Sequence, residues 1–307
     1  MVTLLPDTNM SITNEIQLAK EELMEKRFER RSLIKTVFAG SMAFAGASLL
    51  AGCGGNDDNN GSGAGLDADV LNFALNLEYL EAEYYLRAVN GSGLPVADIG
   101  GTPGAVSGGS AVPFATPAFR QYAQEIAADE LAHVRFLRSA LGSNAVSRPA
   151  INLSTAFDAA AAAAGIGPSF NPFADEVSFL LGAFIFEDVG VTAYKGASPL
   201  ISDKGFLEAA AGILGVEAYH AGIVRTVLFS IGGAAITNAQ RISDLRDSAA
   251  GSEKDQGIVV SGNANLVPTD SNAIPYSRTT AEVLKIVYLG GTTSGGFYPA
   301  GMNGNIK

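Results

Sequence analysis

The sequence is poor in the residues on which several common protein classes depend. Its 307 residues include no tryptophan, one cysteine and two histidines. A single cysteine excludes a disulfide framework within the chain and a zinc site built from several thiolates. Basic residues are also scarce, with 20 lysines and arginines against 31 aspartates and glutamates and a net charge of −11. Because there is no basic patch, the composition argues against a surface for nucleic acids or anionic membranes.

The first 65 residues have the pattern of a targeting segment and a tether. Arg30-Arg31, although preceded by Glu29 where serine or threonine is usual, stands before an uncharged stretch and resembles a twin-arginine export signal. The sole cysteine, Cys53, follows Leu-Ala-Gly, the pattern at which bacterial lipoproteins are cleaved and lipidated. We therefore predict a signal over residues 1–53, a flexible tether over residues 54–65, and an exported periplasmic or cell-envelope protein anchored to the membrane by lipid.

Both histidines of the chain stand three residues after a glutamate: Glu130 precedes His133, and Glu217 precedes His220. Residues three apart on a helix project from one face on successive turns, so each pair can reach one metal ion. With glutamate at about one position in twenty, both histidines would show this spacing by chance in on the order of 0.3% of sequences. A lone histidine on an apolar helix is usually a hydrogen-bonded core residue, but the repeated pair indicates a metal site.

Four long helices with apolar stripes are expected after the tether. Glu78 lies in the stripe of the first helix and Glu187 in that of the third, and a tyrosine follows each of them seven residues later, Tyr85 and Tyr194. This repeat indicates an internal duplication in which one Glu helix and one Glu-x-x-His helix are used twice. Glu81, one turn after Glu78, stays an alternative ligand. The four helices are predicted over residues 66–90, 117–141, 171–194 and 202–230.

These patterns predict an all-α fold, with a four-helix bundle over residues 66–232 and a C-terminal extension over residues 233–307 that packs on it. The long connection over residues 143–170 can carry the chain from one end of the bundle to the other, as a crossover. Residues 91–115, rich in glycine, proline and serine, are expected to be a loop. Helix starts are expected at Thr116-Pro117, Asn171-Pro172 and Ser202. Further helices are expected over residues 234–250 and 279–289.

Four buried carboxylates that face one another need compensating cations, because taking each ionised carboxylate out of water costs several kcal/mol. Two divalent metals would balance four carboxylates and leave one imidazole for each metal. Ferritin-like di-iron and di-manganese proteins have this arrangement: two helices contribute one Glu each, and the other two contribute one Glu-x-x-His motif each. Such ligands suit Fe or Mn better than Zn or Cu. Other nearby acids are expected to be solvated or to stand behind the ligands: Glu83, Glu125, Asp129 and Asp188.

This ligand pattern resembles that of the ferritin-like superfamily, in particular an exported ferritin-like group related to plant desiccation-associated proteins. The resemblance implies two Fe or Mn ions as cofactors, with Glu130 and Glu217 as bridging ligands and with Tyr85 and Tyr194 beside the site. The ligands that it implies are Glu78, Glu130, His133, Glu187, Glu217 and His220. The loop at residues 91–115 and the C-terminal extension depart from a compact storage ferritin.

The resemblance also implies redox chemistry with O2 or peroxide, of the ferroxidase or the catalase type. The expected partners are metal ions and the oxidant, and a homodimer is compatible with the sequence. The alternative is a non-enzymatic ferritin-like scaffold for stress protection or envelope binding, with a structural metal or none. A closed iron-storage cage is disfavoured, because a lipid anchor and large loops would hinder a shell.

Overall fold

The computed structural model describes residues 63–307, and in that part of the chain the fold consists of helices with four very short strands. The helices are α1 (Gly63–Asn90), α2 (Pro117–Leu141), α3 (Thr155–Ala163), α4 (Glu176–Ala197), α5 (Lys204–Ile231), α6 (Ala234–Ala250) and α7 (Thr280–Val287). The strands are β1 (Val106–Gly108), β2 (Ile151–Leu153), β3 (Val259–Val260) and β4 (Asn263–Ala264). The expected signal with Arg30 and Arg31, the cysteine Cys53 and the tether up to residue 62 lie outside the described residues.

Helices α1, α2, α4 and α5 form a four-helix bundle, which confirms the all-α prediction. Helix α1 packs along α2, α4 packs along α5, and α1 contacts α4. Helices α1 and α4 are buried on almost every face, whereas α2 and α5 bury one stripe and expose the other. The segment Glu176–Leu200 is long and apolar enough to cross a membrane, but 89% of its most apolar window is buried inside the protein. It is therefore placed as the core helix of the bundle.

Two of the long helices begin later than the sequence pattern predicts. Helix α4 begins at Glu176 rather than at Asn171-Pro172, because the carboxylate of Asp175 accepts hydrogen bonds at 2.8 and 2.9 Å from two backbone N–H groups of the first turn. Helix α5 is likewise capped by Asp203 rather than by Ser202. Aspartate at this position satisfies N–H groups that have no partner within the helix. Helix α1, in contrast, begins earlier than predicted and includes the last three residues of the predicted tether.

The loops contain short strands that the sequence does not predict. Strand β1 pairs in parallel with β2, with Val106 opposite Ile151 and Gly108 opposite Leu153. Strands β3 and β4 form an antiparallel pair of two residues each. Two or three residues are too few to show the alternation by which strands are recognised. The β1–β2 pair ties the loop between α1 and α2 to the crossover that contains α3.

A network of buried ion pairs joins the C-terminal extension to the bundle. Arg225, Arg246 and Arg278 are each no more than 1% exposed. Asp188 of α4 accepts hydrogen bonds from Arg225 at 2.7 Å and from Arg246 at 2.9 Å. Asp255 accepts hydrogen bonds from Arg246 and Arg278, both at 2.8 Å. The network therefore connects α4, α5, α6 and the segment before α7 through two carboxylates.

Candidate metal centre

Each long helix of the bundle places at least one glutamate in the interior. The side chains of Glu78 on α1, Glu130 on α2, Glu187 on α4 and Glu217 on α5 are each no more than 1% exposed. Helices α2 and α5 also contribute the two histidines, one turn after their glutamates. The structure thus brings together all six residues that the sequence and the resemblance single out.

Glu130 lies between the two histidines. Its Oε2 atom is 3.3 Å from His133 Nδ1, and its Oε1 atom is 3.0 Å from His220 Nδ1. The two oxygens of one carboxylate therefore face two different imidazole nitrogens. This arrangement suits a carboxylate that bridges two metal positions, one beside each histidine.

Further carboxylates surround each histidine. His133 Nδ1 is 3.2 Å from Glu78 Oε2 and 3.9 Å from Glu217 Oε1, and these three residues form with the central carboxylate a group whose ligand atoms lie within 4.8 Å of one another. His220 Nδ1 is 3.6 Å from Glu187 Oε2. The bridging role that the resemblance implies for Glu217 stays a prediction.

Several buried polar atoms of this centre have no hydrogen-bond partner within the described residues. They are Glu130 Oε1, Glu187 Oε2, Glu217 Oε1, Glu217 Oε2 and His220 Nδ1. Glu130 Oε1 and His220 Nδ1 lie 3.0 Å apart, but not in the geometry of a hydrogen bond. Buried polar groups are almost always hydrogen-bonded, and an unpaired buried carboxylate oxygen is costly. Because five such atoms converge on one place and all of them are ligand types, the residues fit bound metal cations. A donor set rich in carboxylates with one imidazole per position is suited to Fe or Mn.

Two tyrosines hold the outer carboxylates crosswise between the halves of the bundle. The Tyr85 hydroxyl on α1 donates a hydrogen bond to Glu187 Oε1 on α4, and the Tyr194 hydroxyl on α4 donates to Glu78 Oε1 on α1. Each bond occupies one carboxylate oxygen and leaves the other, Oε2, facing a histidine. The Glu-to-Tyr repeat of the sequence thus corresponds to two reciprocal hydrogen bonds, in which the tyrosine of each helix donates to the glutamate of the other.

The outer nitrogen of one histidine contacts a further carboxylate. His220 Nε2 is 3.2 Å from Asp129 Oδ2, whose side chain is 43% exposed. This contact orients the imidazole so that its Nδ1 faces Glu130. Asp129 directly precedes Glu130, whereas the residue that precedes Glu217 is Val216, which cannot accept a side-chain hydrogen bond. The duplication is therefore broken at this position, and the unequal pair of residues is a signal that the sequence already contains.

A fifth carboxylate, Glu81, lies beside the centre and is 5% exposed. Gly190 of α4 makes room for the neighbouring Glu217, because a Cβ atom there would collide with Glu217 Oε2, and the same position lies 3.6 Å from Glu81 Oε1. Of the two alternatives on α1, Glu78 belongs to the group of four converging ligand atoms and Glu81 does not. The geometry therefore favours Glu78 as the ligand and places Glu81 beside Glu217.

The electrostatics of the centre favour the binding of cations. Burial raises the pKa of Glu78 to about 7 and that of Glu187 to about 8, although a nearby histidine counteracts the effect in each case. Burial opposes a charge on His133 and His220, but the carboxylates around them raise their pKa values to about 11 and about 10. Near neutral pH and without metal, these residues bind protons. The protons then supply the positive charge that metal ions would supply in the loaded protein. Metal binding must therefore displace protons.

Two of the acids that the sequence leaves as solvated or beside the ligands are instead buried in ion pairs. Glu83 on α1 pairs with Arg148 and, at 2.8 Å, with Arg87. Asp188 belongs to the arginine network that joins the C-terminal extension to the bundle. The sequence could not show these contacts, because their arginine partners lie 37 or more residues away, except for Arg87.

Comparison with known proteins relates this architecture to one family, described as ferritin-like domain, which matches residues 66–230 and so spans the whole ligand set. The chain belongs to the ferritin-like domain family. This ferritin-like chain is 33% identical over 267 residues to the ferritin-like catalase Nec2 of Nesocodon mauritianus, with 78% of this chain and 84% of the relative covered. It is 30% identical over 246 residues to the desiccation-related protein PCC13-62 of Craterostigma plantagineum, with 71% and 76% covered. No solved structure matches it.

Proposed function

We propose that this ferritin-like protein holds two Fe or Mn ions at the candidate metal centre and decomposes hydrogen peroxide, as a catalase-type enzyme. The observation that carries the proposal is the convergence of buried, unpaired carboxylate and imidazole atoms on one place in the bundle. The similarity to a relative named ferritin-like catalase supports peroxide as the oxidant. Two such ions supply the two-electron redox change by which two molecules of H2O2 become two of water and one of O2.

Each residue of the centre has a separate task in this proposal. Glu130 would hold both metal ions, and each ion would take one histidine. Tyr85 and Tyr194 keep the outer carboxylates aimed inward. Burial, reinforced by the nearby Glu81 carboxylate, raises the pKa of Glu217 well above its usual range, and a bound cation would offset this cost of its charge.

The enclosure of the centre favours a small substrate. Among the six predicted ligands, His133 has the most exposed side chain, at 11%, and the four glutamates have almost no contact with solvent. A bulky organic molecule could not reach the metal positions without separating the helices. Hydrogen peroxide is little larger than water, and the nearly closed bundle therefore suits it.

Metal analysis combined with oxygen measurement tests the proposal. Protein from its native host is expected to contain about two Fe or Mn ions per chain and to release O2 from peroxide. The Glu130→Gln variant is expected to lose metal and to reduce kcat by about 100-fold or more, because the carboxylate that serves both positions becomes neutral. The matched control, Glu125→Gln on the exposed side of the same helix, is expected to keep both properties.

Two results would overturn this assignment. If the Glu130→Gln variant released O2 as fast as the natural protein, the reaction would not take place at the centre of the bundle. Oxidation of added Fe(II) by metal-loaded protein, without O2 release from peroxide, would indicate a ferroxidase instead.

A second candidate function is a stress-protective scaffold with a structural metal, which the similarity to a relative named desiccation-related protein favours. Such a protein would bind metal at the same residues and unfold at a higher temperature when loaded, yet it would release no O2 from peroxide. The catalase assay on metal-loaded protein therefore separates the two functions.

Export and lipid anchoring are also proposals, and they rest on the sequence alone. Arg30 and Arg31 would direct the chain to the twin-arginine route, and Cys53 would carry the lipid. Labelling with a radioactive fatty acid, compared between the natural chain and its Cys53→Ser variant, tests the anchor.

A further inference from the structure

The outward face of α5 carries no charged side chain from residue 209 to the end of the helix. The ionisable residues in this range, Glu217, His220 and Arg225, are all buried. Tyr219 is 77% exposed, and Ile223 is 37% exposed. On a protein with a net charge of −11, five turns of helix surface without a charge form an unusual patch. We call this surface, which includes residues 211, 212, 215, 219, 222 and 223, the α5 face.

Three glycines on the α5 face have no structural explanation within the described chain. A Cβ atom at Gly212, Gly215 or Gly222 would meet no other atom within 4 Å. The glycines of α4 differ, because a Cβ atom at Gly182 or Gly190 would collide with a neighbouring side chain. A glycine inside a helix makes the helix less stable than an alanine would. The outward glycines of α5 carry this cost without any packing gain in the single chain.

The sequence of the α5 face is complementary to itself in the antiparallel direction. If two copies of α5 cross about a two-fold axis at the level of residue 217, residue i of one copy faces residue 434 − i of the other, by simple reflection of the numbering about 217. Tyr219 then lies beside Gly215 of the other copy. Gly212 lies at the same level as Gly222, so the two backbones can approach closely there. The large side chain nearest the axis, that of Tyr219, thus meets a small residue of the other helix.

We propose that the α5 face is the interface of a homodimer in which two copies of this chain pack antiparallel along α5. Charge supports a second copy as the occupant, because residues near a two-fold axis face their own counterparts and any charge there would repel itself. The contact from Glu208 to Thr226 extends over about 27 Å. Such a contact buries on the order of 1,000 Å2 in total, near the lower limit for a specific interface, and we expect a dissociation constant on the order of micromolar.

Sedimentation velocity of the full chain between about 1 and 100 µM tests the dimer, since this range spans the expected dissociation constant. The natural chain is expected to shift from monomer to dimer across the range. Tyr219→Glu places two like charges near the axis and is expected to weaken the dimer by about tenfold or more. The matched control, Gln124→Glu, adds the same charge at an exposed position of α2 and is expected to leave the dimer intact. Gly215→Leu fills the open position over which Tyr219 would lie and is expected to act like Tyr219→Glu.

Cross-linking tests the register. After Cys53→Ser, the double variant Gly215→Cys with Tyr219→Cys is expected to form disulfide-linked dimers faster than either single variant. A double variant that cross-links no faster would overturn the antiparallel arrangement. A chain that remains monomeric at every concentration would overturn the dimer itself. The chain would also remain monomeric if its own residues before 63 covered the α5 face, and that result would overturn the dimer in the same way. None of these measurements depends on bound metal, so the proposed function can fail while the dimer stands.

Discussion

At the scale of single residues, the two histidines of the metal centre differ in what their outer nitrogens contact. His220 Nε2 is 3.2 Å from Asp129 Oδ2, and the duplicated position in the other half is Val216. A carboxylate on the outer nitrogen fixes the tautomer of an imidazole and makes it a more basic metal ligand. The position beside His220 is therefore expected to bind metal more tightly than the position beside His133.

Replacement of Asp129 by asparagine tests this difference. The amide can still accept a hydrogen bond but carries no charge, so His220 becomes a weaker ligand. We expect Asp129→Asn to reduce the affinity for one of the two metal ions by about tenfold and to leave the other unchanged. Competition with a coloured chelator resolves the two binding steps, and Glu125→Gln on the same helix is the control. An equal loss at both steps would contradict the inferred inequality.

At the scale of elements, two buried aspartates determine how the C-terminal extension is held. Asp255 lies between Arg246 and Arg278, and both arginines are buried. Burial disfavours its charge, but the two arginines outweigh this effect and lower the pKa of Asp255. Because the pKa is lower in the folded chain than in the unfolded one, the stabilisation is present above the ordinary pKa and is lost as the pH falls.

The Asp255→Asn variant should show how much this network contributes. The substitution removes the negative charge that balances two buried arginines. The loss of one partner from a buried ion pair lowers the free energy of unfolding by about 3 kcal/mol. Urea unfolding of the full chain measures the change. Asp244→Asn, at an exposed position of α6 where the side chain accepts a hydrogen bond from Gln240, is expected to change the free energy of unfolding by less than about 0.5 kcal/mol. A similar effect of both substitutions would show that the network is not what holds the extension.

At the scale of the whole molecule, the metal centre determines how stability depends on pH. The pKa values of Glu78, Glu187, His133 and His220 are raised to about 7, 8, 11 and 10 in the metal-free protein. A group with a raised pKa stabilises the folded state fully below its unfolded pKa and loses that contribution as the pH rises through the folded value. All four groups therefore act in the same direction between about pH 6 and pH 9.

We expect the melting temperature of metal-free protein to fall by several degrees between about pH 6 and pH 9. Metal-loaded protein is expected to show little change over this range, because its metal ions supply the positive charge in place of the protons. Scanning calorimetry of both forms at several pH values measures the difference. A metal-free protein that became more stable toward pH 9 would show that the centre does not hold these protons.

Much of this protein could be predicted from the sequence, because helices and their ligands follow local rules. The 3.6-residue period identifies the four long helices, and the three-residue spacing identifies both Glu-x-x-His pairs. The spacing of seven residues between Glu78 and Tyr85, repeated later in the chain, indicates the duplication. Two helix starts were predicted a few residues too early. The helices begin at Glu176 and Lys204, because an aspartate caps each of them in place of the nearby proline and serine signals.

The sequence by itself determined the family, the bundle and the six residues that meet at its centre. The tertiary structure decided which atoms face each other: that Glu130 divides its oxygens between two histidines, that the tyrosines bond crosswise, and that Asp129 reaches His220. It also decided that Tyr219 points outward. The physical reason is that periodicity defines a face of one helix, whereas contacts between faces depend on how separate helices pack in space.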